Sequence, residues 1–210
     1  MCIRDRFRSS MLMKLRKERR VASESPLRID KLQVEEISRS DWRALEGLYR
    51  ATCGRKGSYP YLTPEFFELA PARLDGSPLV FAARDGERIV AASLNFAKGG
   101  HLYGRYWGAT ERHDMLHFEL CYYRLIEHAI DQGMRRFEAG AQGTHKLRRG
   151  LMPVPIHSGH WLRHPVLAQA VADFLPREAA SVQEQIRELS HHGPFRREQS
   201  VESEGQRASG

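Results

Sequence analysis

The strongest constraint on this chain is a pair of apolar runs, Leu79–Arg84 and Arg88–Phe96, separated by Asp85-Gly86. Asp-Gly supplies the positive φ angles that a two-residue hairpin turn demands, and runs of Val, Ile, Ala, Phe and Leu on either side read as its strands. Gly99-Gly100 opens another strand through Leu102–Trp107. The pattern predicts a three-stranded antiparallel meander.

Helical periodicity surrounds it. Ser40-Asp41 precedes Trp42, Leu45, Leu48, Tyr49 and Thr52, an i, i+3, i+4, i+7 stripe ending before Gly54 and Gly57. Thr63-Pro64-Glu65 is a cap with Pro at the first helical position, and opens a shorter helix through Phe66, Phe67 and Leu69. After the meander, Phe118, Tyr122, Leu125, Ile126, Ala129 and Ile130 share one helix face, stopped by Gly133. Arg135–Ala139 and Pro155–Leu162 read as strands. Pro165 starts a helix that Pro176 should break, with another helical stretch over Arg177–Leu189. The expected fold is a mixed α+β arrangement without internal repeats.

Of the 210 residues, 41% are hydrophobic and 28% charged, which excludes disorder over most of the length. The longest apolar runs, such as Ile89–Leu94, fall far short of the roughly 20 residues of a membrane span, and the basic N-terminus lacks the apolar stretch of a signal peptide. The cysteines, at positions 2, 53 and 121, form no CxxC and cannot all pair. A reducing, cytoplasmic setting is expected. The net charge of +7 is uneven: residues 1–30 hold nine Lys/Arg against four Asp/Glu, and the remainder holds 24 against 22. The excess sits in Lys14, Arg16, Lys17, Arg19 and Arg20, a solvated helix or arm. Met1-Cys2-Ile3-Arg4-Asp5-Arg6 reads as translated sequencing adapter, so residues 1–10 are expected to be a non-native start. His191–Gly210, rich in Arg, Glu, Ser and Gly, is expected to be a disordered tail.

Candidate chemistry gathers where strands end and helices begin. Tyr103, Arg105, Trp107, His117, Glu119 and Tyr122 occupy one such stretch, and Glu138, Gln142, His145 and Lys146 the other. A carboxylate at the end of a buried strand must find a partner or shift its pKa, so Glu138 is a candidate general base or half of an ion pair. His145 offers a titratable imidazole and Lys146 a cation for phosphate or carboxylate. Glu119 in a first turn is also ordinary dipole compensation. His157 and His160 would face opposite sides of a strand, and no HExxH spacing exists, so no metal site is expected. Neither a GxSxG elbow nor a P-loop is present.

Lys17-Glu18-Arg19-Arg20, Tyr59-Pro60-Tyr61-Leu62-Thr63-Pro64-Glu65-Phe66-Phe67, Leu102–Gly108, His117–Tyr123 and Phe137–Lys146 together resemble, over about residues 14–195, a bacterial family of predicted N-acyltransferases described as peptidoglycan biosynthesis/recognition proteins. The resemblance implies a GCN5-related acyltransferase (GNAT) fold, akin to the second GNAT-like domain of Fem-type aminoacyl transferases. It implies residues 29–190 as that domain and 11–28 as a basic helix joining it to a preceding GNAT-like half that is absent here. The implied activity is transfer of an acyl or aminoacyl group to an amine, with a cell-wall precursor or small molecule as acceptor. The alternative is a non-catalytic recognition module. Glu138, His145 and His117 would carry catalysis, while Tyr103, Arg105, Trp107, Glu119, Tyr122, Gln142 and Lys146 would bind substrate or cofactor. Acyl-CoA is the donor such folds suggest, yet the Gly108–His117 segment lacks their Gln/Arg-x-x-Gly-x-Gly/Ala pyrophosphate loop. Transfer RNA, held by Lys14–Arg20, is a further expected donor partner.

Overall fold

A computed structural model describes residues 6–140 and 143–196. The chain divides into two compact units, Lys14–Lys146 and a smaller one formed by the residues up to Met13 together with those from Leu147 onward. A helix, α1 (Ser9–Ser23), runs through the first boundary.

The larger unit is built on a sheet of five strands in sequential order: β1 (Arg28–Gln33), β2 (Pro78–Asp85), β3 (Arg88–Lys98), β4 (His101–Ala109) and β5 (Arg136–Glu138). The first four are antiparallel, and β5 lies parallel to β4. The meander is therefore present as expected, extended on both sides. The first added strand, β1, carries Arg28, Asp30 and Lys31, the charges that sheet edges use against unwanted pairing, and these hide its strand pattern. The hairpin loop is Gly86-Glu87, one residue beyond the expected Asp85-Gly86: Asp85 pairs with Arg88, and Gly86 takes φ 58°.

The strand runs β2 and β3 are continuously apolar because both sheet faces are covered. On one face lie α2 (Arg39–Arg55) and α3 (Pro64–Arg73), whose Trp42, Leu45, Leu48, Tyr49 and Phe67 pack with Val80, Ala82 and Leu94. Helix α2 starts at Arg39, before the Ser40-Asp41 pair that precedes its apolar stripe. Ser38 caps it, accepting from the Asp41 amide at 3.1 Å while Asp41 Oδ2 accepts from the Ser38 amide at 3.2 Å, a reciprocal box. The opposite face is covered by α4, residues 116–131, whose Leu116, Leu120, Leu125 and Ala129 pack with Leu79, Phe81 and Leu102. It consists of Leu116–Phe118, a π-helical stretch Glu119–Tyr123 and Arg124–Asp131.

Arg84 ties the unit's start together. Only 9% exposed, it donates to Asp30 Oδ2 at 3.0 Å, Asp41 Oδ1 at 2.9 Å and the Glu87 carbonyl at 2.8 Å. The basic stretch is held as well: Arg19 donates to Glu119 Oε2 at 3.1 Å and Oε1 at 3.0 Å, and to Glu127 at 2.5 and 3.0 Å. Tyr123 donates its hydroxyl to Glu18.

In the smaller unit, Phe7 bridges Phe195 with ring centroids 5.0 Å apart, and the Arg196 amide donates to the Arg6 carbonyl at 2.7 Å. The tail expected from His191 thus begins with a bonded segment, while residues 197–210 and residues 1–5 of the expected non-native start lie outside the described residues. The strand expected over Pro155–Leu162 does not form, because it has no ladder partner among the described residues. Nor does Pro176 break the helix: α5 runs unbroken over Pro165–His191. A proline removes a single N–H from the helix ladder, and neighbouring turns on both sides hold. No helix among the described residues is long and apolar enough to cross a membrane.

Candidate functional site

The site forms where β4 and β5 part. Their ladder covers His101↔Arg136, Leu102↔Phe137 and Tyr103↔Glu138, then stops, so β4 continues to Ala109 without a further strand partner on that side among the described residues. Gly104 permits the close approach at the fork: a Cβ there would sit 3.5 Å from the Phe137 ring and 3.6 Å from the Glu138 carbonyl oxygen. Strand ends that diverge leave a crevice outside their carboxyl termini, where parallel sheets hold ligands.

Strict alternation would put Tyr103, Arg105 and Trp107 on one face. A bulge prevents it: Leu94 opposes Tyr106 and Asn95 opposes Gly104, leaving Arg105 as the extra residue. Beyond it, Trp107 turns to the α4 face with Leu102, and Tyr106 to the α2 face, its ring 4.8 Å from that of Tyr49. Arg105 lies over the Tyr106 ring and donates to the Tyr61 hydroxyl at 3.1 Å. Burial, and then the hydroxyl bond to Tyr61, push the Tyr106 phenol well above its ordinary value.

Four of the expected site residues converge on the α4 face. The Trp107 ring lies 5.2 Å from His117, His117 lies 5.6 Å from Tyr122 and 6.5 Å from His145, and Tyr122 lies 5.7 Å from His145. Tyr122 Oη and His145 Nε2 share a hydrogen bond of 3.0 Å, the donor set by the imidazole tautomer. Phe118 completes the wall, 5.8 Å from His145. His145 packs against Gly143, which sits at φ 102° and where a Cβ would collide with the imidazole Cε1.

The other candidates have partners of their own. Lys146 donates to the Gly140 carbonyl at 2.9 Å, and burial holds its amine below the ordinary lysine value. Glu138 is not the buried carboxylate expected: its side chain is 35% exposed and pairs with Arg136 at 3.4 Å, because β5 is an edge strand. Tyr103 meets His101 Nδ1 at 3.4 Å. Glu119, 3% exposed, binds Arg19 and also Arg124 at 2.8 Å, an anchor for α1. Gln142 lies outside the described residues. Among the described residues no cluster of His, Cys, Asp and Glu is arranged to hold a metal ion.

Sequence reasoning missed what shapes the helix under the site. Ser93 and Asn95, each 1% exposed, interrupt the apolar run of β3. Asn95 Nδ2 donates to Ser93 Oγ at 3.0 Å and to the Leu79 carbonyl at 3.1 Å, and Ser93 Oγ donates to the Leu120 carbonyl at 2.9 Å. That carbonyl belongs to the π-helical stretch carrying Tyr122, so two buried polar side chains fix the turn that presents the hydroxyl. The signal was available: polar residues inside Ala-Ala-Ser-Leu-Asn-Phe must be satisfied when buried.

The segment between β4 and α4 has no glycine and carries Glu111 and Asp114 beside Arg112, a composition unlike that of a loop that wraps a pyrophosphate in backbone amides.

Solved structures similar to this chain include an aminoglycoside acetyltransferase, meta-AAC0020, from an uncultured soil metagenomic sample in complex with sisomicin, at 14% identity and a TM-score of 0.46, covering 66% of this chain and 95% of that one. Another is AAC(6')-Iy in complex with the bisubstrate analog CoA-S-monomethyl-acetylneamine, at 11% identity and a TM-score of 0.42, covering 65% and 98%. None of the curated proteins matches. The sequence profile of the FemAB-like family, described as peptidoglycan biosynthesis/recognition, matches residues 5–197, and the chain belongs to that family.

Proposed function

We propose that the fork between β4 and β5 is an acyl-transfer site of the GNAT/Fem-like class, acting on an amine of a peptidoglycan-related molecule. The observation carrying this reading is the Tyr122–His145 hydrogen bond, walled by Trp107, His117 and Phe118. A hydroxyl bonded to an imidazole in an aromatic enclosure is a proton path. The amine nitrogen attacks the acyl carbonyl carbon, its proton passes through Tyr122 Oη to His145 Nε2, and the donor's leaving group departs with the electrons of the broken acyl bond. His117 lines the path, Glu138 orients the amine from the strand end, and Lys146 offers a cation to the donor. No step runs through coenzyme A, whose pyrophosphate the 109–117 segment does not suit.

That misfit also supports a second reading, a recognition module that binds the same amine without turning it over. Mass spectrometry of free-amine muropeptides, incubated with the chain and either acetyl-CoA or an aminoacyl-tRNA mixture, separates the two. An acylated product lost in Tyr122→Phe and His145→Gln supports transfer. Muropeptide binding without product supports the module, and neither binding nor product refutes both.

A further inference from the structure

The turn that carries Tyr122 is wider than an α-helix, and the contacts along it keep a spacing that the wide form alone can meet. Five residues on an α-helix carry a side chain about 140° past a full turn, so an i, i+5 pair cannot share a face. On α4 such pairs do share faces. Leu120 and Leu125 pack in one core cluster against the sheet, the rings of His117 and Tyr122 lie 5.6 Å apart, and Arg124 meets Glu119 at 2.8 Å. The π-helical stretch Glu119–Tyr123 absorbs the extra residue.

A side chain from outside the helix spans this stretch. Arg19 of α1 donates to Glu119 at 3.0 and 3.1 Å and to Glu127 at 3.0 Å, so a single guanidinium holds two carboxylates that are eight residues apart. In an unbroken α-helix those carboxylates would diverge by about 80°, whereas one residue taken up by the wide turn brings them within about 20° of alignment. The planar fork of arginine suits a double bridge of this kind, and the point charge of lysine does not. The neighbouring Glu18 accepts from the hydroxyl of Tyr123, and the Arg19 guanidinium lies 5.8 Å from the centre of the Tyr123 ring. We infer that Arg19 is a positioning residue: by bridging Glu119 and Glu127 it holds α4 in the wide register, and so keeps Tyr122 against His117 and His145. The role goes beyond anchoring α1 and gives the Lys17–Arg20 stretch a part in the site. A slip to regular α-helix would turn one half of α4 by about 100° relative to the other, and the i, i+5 contact of His117 with Tyr122 would break whichever half moved. The register is independent of the acyl-transfer reading, and its bearing on catalysis rests on that reading.

Nuclear magnetic resonance of the full chain, with histidine and tyrosine rings labelled, reads the register without any substrate. The unaltered chain should show a nuclear Overhauser cross-peak between the His117 and Tyr122 rings. Arg19→Gln and Glu127→Ala are both expected to weaken it at least about twofold, as a slipped population grows, and to shift the His145 Nε2 resonance toward its position in Tyr122→Phe. Arg19→Lys should behave as Arg19→Gln does, because lysine keeps the charge without the double bridge. Glu127→Ala keeps the pairs that Glu119 makes with Arg19 and Arg124, so its effect is not that of a lost anchor. Weakened cross-peaks with undiminished acyl product would leave the positioning role standing and refute the proton path through Tyr122 instead. An unchanged cross-peak in Arg19→Gln overturns the proposal. So does a cross-peak lost in Arg19→Gln and kept in Glu127→Ala, because the bridge would then not matter.

Discussion

Replacing Arg19 by Met tests whether the basic N-terminal stretch is part of the folded unit or a free arm. Arg19 holds Glu119 through bonds of 3.0 and 3.1 Å, and burial, which alone would lower its pKa, is outweighed by the bonds to Glu127 and Glu119, which raise it. Removing one partner of a buried pair costs about 3–5 kcal/mol when the other is stranded. Glu119 is not wholly stranded, since Arg124 remains at 2.8 Å, and the Arg19 side chain is itself 33% exposed. We therefore expect about 2–3 kcal/mol of destabilisation, read as a Tm lower by about 4–12 °C for a chain of this size. Glu119→Gln and the double variant close a cycle, and coupling near 1 kcal/mol or more is expected for groups in contact. A variant within about 0.5 kcal/mol of the unaltered chain, the range of ordinary surface changes, would refute the packing of α1 and return the stretch to a solvated arm.

Two glycines give opposite results. Gly108 faces α2 so closely that a Cβ would sit 2.6 Å from Leu48 Cβ and from its carbonyl oxygen, so Gly108→Ala should cost about 1–3 kcal/mol in urea unfolding. Gly47 lies inside α2 with nothing within 4 Å, so Gly47→Ala should stabilise by up to about 1 kcal/mol. Burial, and then the charge of Lys31, hold His128 below its ordinary value of 6.5. The unfolded state then binds the proton more readily, so the stability tied to neutral His128 is full above about 6.5 and is lost as the pH falls through the lower folded value. Stability measured across mildly acidic pH should fall less steeply in His128→Leu, and an unchanged slope would assign the acid sensitivity elsewhere.

Much of the fold was legible because its signals are local. Asp85-Gly86 can only be a tight turn, Thr63-Pro64 a helix start, and Gly133, at φ 59°, a helix end. What stayed hidden depends on distant chain. The strand β1 exists because β2 lies beside it, and the charges that suit an edge mask it. Pro155–Leu162 has the composition of a strand but no ladder partner among the described residues. The site divides the same way. Trp107, His117, Tyr122 and His145 were found by type and by their places at element ends. The bulge at Arg105 that separates Trp107 from its neighbours arises from register between two strands, which no periodicity within β4 contains. Glu138 was expected at the end of a buried strand, and is partly exposed because that strand is the last in the sheet.

The central claim is that an amine-bearing peptidoglycan fragment meets the Tyr122–His145 pair at the strand fork. Its most direct measurement is a nuclear magnetic resonance titration of the histidine side chains with a free-amine muropeptide, run beside its N-acetylated form. The account predicts that His117 and His145 move with the free amine, that the acetylated form moves them less, and that Tyr122→Phe diminishes the His145 response. Movement confined to His157 and His160, or the same response to both muropeptides, would contradict it.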